Sequence, residues 1–153
     1  MKKSVILIIS TLSLVAIILI GLLFQRAEVY NETIYVQKVV CTSIRIGDDY
    51  YDTFWNERSQ RYLVENPEEP EKEAPLLFID QLTIDVIYEI QPMDASTQTV
   101  TFSTNSDVSI ASIEEATGRI VFYKPGIATF TITANDNNNE SAKLKIRTKT
   151  LDG

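Results

Sequence analysis

An uncharged apolar run near the N-terminus constrains this chain most, because such a run cannot belong to a water-soluble core. It covers the 20 residues Val5–Phe24 and reads VILIISTLSLVAIILIGLLF. A helix of that length spans about 30 Å, the thickness of the hydrocarbon core of a bilayer. The run is apolar on every side, unlike the helix of a soluble surface. We therefore predict a transmembrane segment over residues 1–26, with residues 5–24 in the membrane.

This segment is either an uncleaved membrane anchor or a signal peptide that is cleaved from the rest of the chain. The apolar region of a cleaved signal peptide is shorter, about 7–15 residues, and ends at a small-x-small site. Cleavage after Ala27 is the nearest candidate, but Gln25 occupies a position that should be small. The pattern favours an uncleaved signal-anchor, with secretion after cleavage as the alternative. Lys2 and Lys3 precede the run, so the positive-inside rule predicts a cytoplasmic N-terminus and an extracytoplasmic remainder.

The remainder of the chain is acidic. Of 14 Lys and Arg residues, only Lys2, Lys3 and Arg26 precede residue 27, which leaves 11 cations against 21 anions and a net charge of −10. A net charge of this sign disfavours nucleic acid, so we expect no nucleic-acid partner. The chain contains no histidine, which removes histidine acid–base catalysis and most zinc sites. We expect no catalytic, cofactor-binding or metal-binding residues, and we expect the single cysteine, Cys41, to be a buried thiol.

Residues 76–150 alternate between apolar and polar side chains, which is the period of a β-strand. The residues predicted to face inward are Leu82, Ile84, Val86, Tyr88, Ile90, Val100, Phe102, Ala128, Phe130, Ile132, Ala134, Ala142, Leu144 and Ile146. Turn signals recur every 8–12 residues, as in a β-sandwich. Pro125 cannot donate to a sheet, so the strand before it must stop there and the chain must either reverse or cross between sheets. We predict an all-β domain over residues 76–150.

Residues 27–75 are more varied. The β-branched stretch 36–46 predicts a first strand for the domain. The aromatic stretch 48–62 could form a short helix, although its signals are weak. The stretch 65–75 is rich in Pro and Glu, so we expect an extended, mobile loop. We therefore assign residues 48–75 as an insertion or linker.

The aromatic stretch supplies the candidate partner-binding residues, because aromatic side chains and arginines dominate the energy of protein interfaces. They are Tyr50, Tyr51, Phe54, Trp55, Arg58, Arg61 and Tyr62. The other interpretation, which we favour, is that these aromatic rings fold back and cover one end of the sandwich.

A second candidate is the row of outward cations on the last predicted strand, Lys143, Lys145, Arg147 and Lys149. Charged side chains commonly protect an edge strand against aggregation, and we favour that explanation. The alternative is contact with an anionic cell-wall polymer.

The stretch Gln91–Ala134, QPMDASTQTVTFSTNSDVSIASIEEATGRIVFYKPGIATFTITA, resembles the bacterial immunoglobulin-like (Big, group 2-like) domains. Phe102 stands where that family usually has Trp, and Gly118 and Gly126 match its two turn glycines. The resemblance extends over about residues 78–148, and Val39–Ile46 corresponds to the first strand of the family. The insertion that follows this first strand departs from the family pattern.

The resemblance implies an immunoglobulin-like Greek-key β-sandwich of the bacterial cell surface, used for binding, adhesion or assembly rather than catalysis. The fold alone assigns no ligand. We expect a protein or a cell-wall polysaccharide as the partner. The alternative is a subunit of an envelope or secretion membrane complex, in which the anchor helix makes the main contacts.

The sequence predicts where the protein is found. The full chain should remain in the membrane fraction after alkaline carbonate washing, because a span of about 30 Å is stably inserted. External protease should digest the part after residue 27 in cells without an outer barrier. Recovery of a soluble chain that begins near Glu28 would show that the segment is cleaved.

Overall fold

The computed structural model describes residues 2–26 and 32–152, which belong to two compact units that are treated separately. The first unit contains helix α1, Lys2–Arg26. Its stretch Lys2–Leu23 is long and apolar enough to cross a membrane, judged by length and composition. The predicted apolar segment is therefore helical. The alternative cleavage point after Ala27 lies outside the described residues.

The second unit, which we call the β domain (residues 33–152), consists of eleven strands. They are β1 Lys38–Ile46, β2 Asp49–Asn56, β3 Arg61–Asn66, β4 Glu69–Glu73, β5 Leu76–Leu77, β6 Leu82–Gln91, β7 Val100–Thr104, β8 Ala111–Ile113, β9 Arg119–Phe122, β10 Ile127–Ala134 and β11 Ser141–Lys149. The predicted first strand over residues 36–46 corresponds to β1.

The strands follow the order β7-β10-β11-β3-β2-β1-β6-β9-β8, with β4 beside β3 and β5 beside β11. Strands β1, β6, β9 and β8 form one half of this sheet, and β7, β10 and β11 form the other. All of these pairs are antiparallel. The hairpin β2–β3 joins the halves, because β2 pairs with β1 and β3 runs parallel to β11.

The two ends of the strand order also meet, so that the sheet is nearly closed. Strand β7 lies at one end of the order and β8 at the other. The N–H of Phe102 in β7 donates to the carbonyl of Glu115, which follows β8, at 3.0 Å. A sheet that curls in this way encloses its inward side chains in one core.

The inward positions predicted from alternation are confirmed. Among the predicted positions, the most completely buried large side chains are Ile84, Phe130, Ile132, Leu144 and Ile146. Ile44, Ile120 and Phe122, which were not among them, are equally buried. Leu82 and Tyr88 are partly buried and pack against this cluster. Cys41 is a free, buried cysteine, as expected. A β-bulge between Cys41 and Ser43 shifts the alternation of β1 and brings Ile44 inward.

The expectations of a short helix and of a mobile loop within residues 48–75 are both wrong, because this segment folds as β2, β3 and β4. Tyr, Phe, Trp and Thr are strong strand formers, and this preference outweighs the weak capping signals. The Pro/Glu-rich part has little apolar surface of its own, but its backbone pairs with β3. Pro70 is tolerated because β4 pairs with one strand only, and the bond that proline cannot donate falls on a free edge.

The stretch around Pro125 makes a crossing rather than a hairpin. Strand β9 pairs with β6 and β8, whereas β10 pairs with β7 and β11. The two strands therefore belong to different halves of the sheet. Gly126 continues the crossing, and its N–H donates to Thr148 Oγ1 at 2.9 Å.

Gly118 is constrained by both its backbone and its neighbour. Its φ of +72° lies in the left-handed region, which side chains with a Cβ resist. A Cβ at this position would lie 2.6 Å from Cε1 and Cζ of Phe102. The Phe102 ring also meets Tyr88 edge to face, with centroids 5.7 Å apart. Phe102 therefore fills the core where the sheet closes.

Gly118→Ala should destabilise the β domain more than Gly47→Ala does. Gly47 has a similar φ of +61°, but a Cβ there would meet no atom within 4 Å, so its substitution costs only backbone strain. That strain is about 1–2 kcal/mol. The clash with Phe102 should add about 1–3 kcal/mol at Gly118. Urea unfolding of a fragment of residues 33–152 measures both.

Phe102→Ala alone should cost about 3–5 kcal/mol, because it empties a buried aromatic site. In that background the additional cost of Gly118→Ala should fall to that of Gly47→Ala, since the clashing ring is gone. Equal costs of the two glycine substitutions in the wild-type background would show that the ring does not confine Gly118.

Candidate functional site

The seven candidate residues do not form one surface, because alternation along β2 and β3 sends them to opposite sides. Trp55 is paired with Tyr62, and Tyr51 with the buried Ile44, so these three aromatic residues point inward. Tyr50 and Phe54 occupy the alternate positions and point outward. Arg58 lies in the exposed turn between the two strands, and Arg61 begins β3.

The inward aromatic residues cover one part of the core. Tyr62 is 5% exposed, and its ring meets that of Trp55 edge to face at 5.1 Å between centroids. Burial, together with the nearby Cys41 thiol, raises the pKa of Tyr62. Thr53, between Tyr51 and Trp55, donates to the Cys41 carbonyl at 2.6 Å. These contacts favour the interpretation of this side of the hairpin as structural cover.

The outward Tyr50 lies beside a charged cluster on the other half of the sheet. Asp85 accepts from Arg45 Nη2 at 2.7 Å and from Arg119 Nε at 3.2 Å. These two hydrogen bonds lower the pKa of Asp85, and the bond from Arg45 has the larger effect. The pKa of Arg45 is raised mainly by its hydrogen bond to Asp85. The Tyr50 hydroxyl, which also interacts with the Arg45 guanidinium, makes a smaller contribution in the same direction. Asp85 engages both arginines, so each guanidinium of this cluster already has a carboxylate partner, unlike those cations within residues 32–152 that have none.

Arg61 lies at a groove on the outer side of the β10–β11 half. Six polar side chains line this groove, namely Arg61, Asn105, Ser106, Thr129, Thr131 and Lys143. Arg61 Nη1 donates to Thr129 Oγ1 at 3.5 Å, which directs the guanidinium across β11. Ser106 Oγ accepts from the Thr129 N–H at 2.8 Å and holds the loop after β7 against β10. The groove therefore combines two cations with several hydroxyl groups.

The cations of β11 continue this surface. Lys143, Lys145, Arg147 and Lys149 alternate with the buried Ala142, Leu144, Ile146 and Thr148. We call Arg61 together with these four outward cations the cationic face. The Lys145 ammonium lies 3.3 Å from a Glu73 oxygen, and both side chains are largely buried.

The explanation of these cations as edge protection is wrong. Strand β11 pairs along its length with β10 on one side. On its other side it pairs with β3 through Leu144 and Lys145, and with β5 through Thr148 and Lys149. An interior strand has no free backbone edge for another chain to extend, so it needs no such protection.

Sequence reasoning placed Arg61 among aromatic residues and did not join it to the lysine row. The groove depends on the parallel pairing of β3 with β11 and on the loop after β7 that carries Asn105 and Ser106. The regular alternation of threonine in β10 and of lysine in β11 was the only local signal for this surface. No protein-family model matches the chain, and no curated protein matches it either.

Trp55→Ala should destabilise the β domain by about 2 kcal/mol, because the ring packs on Tyr62 although it keeps 40% of its surface exposed. Tyr50→Ala, at a ring that is 64% exposed, should change stability by less than about 0.5 kcal/mol. Urea unfolding measures both changes.

The Cys41 thiol supplies a second readout for the same pair of variants. Burial raises its pKa to about 12, so thiol reagents should react only when the domain opens. Trp55→Ala should accelerate this labelling, and Tyr50→Ala should leave it unchanged. Equal effects of the two substitutions would contradict the division of this hairpin into an inner and an outer side.

Proposed function

We propose that this chain is a membrane-anchored, extracytoplasmic module with an immunoglobulin-like β-sandwich, which binds a partner at the bacterial cell surface. The partner is a protein or a cell-wall polysaccharide, and the role is binding, adhesion or assembly without catalysis. The helix is the single membrane pass, with its N-terminus in the cytoplasm. Its length and apolar composition support the membrane pass, and Lys2 and Lys3 before the apolar run support the orientation.

The strand order supports the immunoglobulin-like part of the proposal. In constant-type immunoglobulin sandwiches, strands A, B, E and D form one sheet, and strands C, F and G form the other. Here β1, β6, β9 and β8 are neighbours in the order that corresponds to A, B, E and D, and β7, β10 and β11 in the order that corresponds to C, F and G. The hairpin β2–β3 is then an insertion between the first and second strands of such a domain. The resemblance of Gln91–Ala134 to Big domains agrees with this correspondence.

The cationic face is the observation that carries the binding function. A domain with an excess of acidic residues places five cations on the outer side of β3 and β11, and all of them except Lys145 have no carboxylate within 4 Å among residues 32–152. These strands are interior to the sheet, so protection of an edge does not account for them. Like charges held close together cost stability, which favours a functional reason for keeping them. On the inward side of the aromatic hairpin, by contrast, Tyr62 is buried and the Trp55 ring packs against it.

Site-specific photo-crosslinking in native membranes tests this function. A photo-reactive amino acid at Thr131, in the groove, should form an adduct with an envelope component. The same group at Thr83, an exposed position on the other half of the sheet, is the matched control and should form none. The yield at Thr131 should fall when Arg61→Gln and Lys143→Gln are introduced together.

Two results would contradict the proposal. Equal adducts from Thr131 and Thr83 would indicate chance encounters rather than a binding surface. Adducts obtained only from positions in α1, such as Leu14, would favour the alternative in which the chain is a subunit of a membrane complex and its helix makes the contacts.

A further inference from the structure

We infer that the ligand of the cationic face is a linear polyol phosphate, a polymer of short hydroxylated units joined by phosphodiesters. This inference rests on the proposed binding function and specifies its ligand class. It follows from three properties of the surface, which are its uncompensated charge, the polar lining of its groove and its length.

The charge of the face is only partly compensated by the domain itself. Within residues 32–152, ion pairs engage Arg45, Arg119, Lys72 and Lys145. Arg61, Lys143, Arg147 and Lys149 have no carboxylate within 4 Å among these residues. Two pairs of free cations thus flank the neutralised Lys145, and each pair can receive an anionic group.

The lining of the groove selects against peptides and against sugar rings. A peptide usually buries an aromatic or aliphatic anchor in a pocket, and this groove has no apolar side chain in its lining. Sugar rings commonly stack their apolar faces on aromatic side chains, and none lines the groove. Thr129, Thr131, Ser106 and Asn105 instead offer hydrogen-bonding groups that suit an open-chain polyol. Arginine and lysine are the side chains that recognise phosphate most often.

The length of the face favours a polymer over a small anion. Alternate residues of a strand lie about 6.7 Å apart, so Lys143 and Lys149 are separated by about 20 Å. A single phosphate would contact one pair of cations and leave the other free. A chain with a phosphate in each repeat can contact both pairs and gains affinity from their linkage.

The test uses the full-length chain in nonionic detergent micelles with fluorescent poly(glycerol phosphate) as the probe. Fluorescence anisotropy should show binding that weakens steeply between roughly 0.05 M and 0.15 M ionic strength, as for other linear polyanions. The double variant Arg61→Gln, Lys143→Gln should bind at least about tenfold more weakly, since each charge-assisted contact is worth roughly that factor. Its salt dependence should also become shallower.

The matched control is the double variant Arg45→Gln, Arg119→Gln, which removes the same two charges from the other half of the sheet. It should bind the polymer as the wild type does, and circular dichroism should show all variants to be folded. An equal loss of affinity in this control would mean that net charge alone governs binding, and it would overturn the inference.

Competition with other polymers identifies the ligand class. Polyglutamate or polygalacturonate that displaces the probe as well as unlabelled poly(glycerol phosphate) does would overturn the inference, in favour of an acidic protein or an acidic glycan. Absence of probe binding would also overturn it. If the Thr131 crosslink nevertheless captures an envelope component, the binding function stands and only the ligand class is wrong. If neither is observed, both fail.

Discussion

The parallel pairing of β3 with β11 is the constraint on which the rest of the β domain depends. It involves only Tyr62 with Leu144 and Leu63 with Lys145, yet it joins the two halves of the sheet through the β2–β3 hairpin. Parallel strands require a long connection, and here the chain between β3 and β11 contains strands β4 to β10. The pairing places Tyr62 in the core and Arg61 on the outer side, beside the lysines of β11.

Two consequences for the surface follow from this single pairing. Strand β11 becomes an interior strand, so its row of cations lies on the outer face of the sheet and not along a free edge. The aromatic hairpin is divided, because Trp55 and Tyr62 pack inward while Tyr50 and Phe54 point outward. The region that looked most like a recognition surface in sequence is thus split between the two sides of the sheet, with Tyr62 buried and Arg61 beside the lysines of β11.

The opposite side of the domain closes through packing rather than through a ladder of strands. Phe102 donates its backbone N–H to Glu115, and its ring lies against Gly118 and Tyr88. Phe102 therefore lies at the point where the two ends of the strand order meet. Because the Phe102 ring occupies the space that a Cβ at position 118 would need, this position requires glycine.

The sequence by itself determined the features that depend on local periodicity and composition. An uncharged run of membrane length predicted α1, and the period of two in residues 76–150 predicted both the strands and their inward side chains, such as Phe130 and Leu144. Only the tertiary structure decided which strands are neighbours. Strand formation within residues 48–75, the crossing at Pro125 and the groove between Arg61 and Lys143 all depend on partners distant in the chain. Alternation gives the face on which a residue lies but not the strand beside it, because every residue other than proline offers the same backbone N–H and C=O groups to a neighbouring strand.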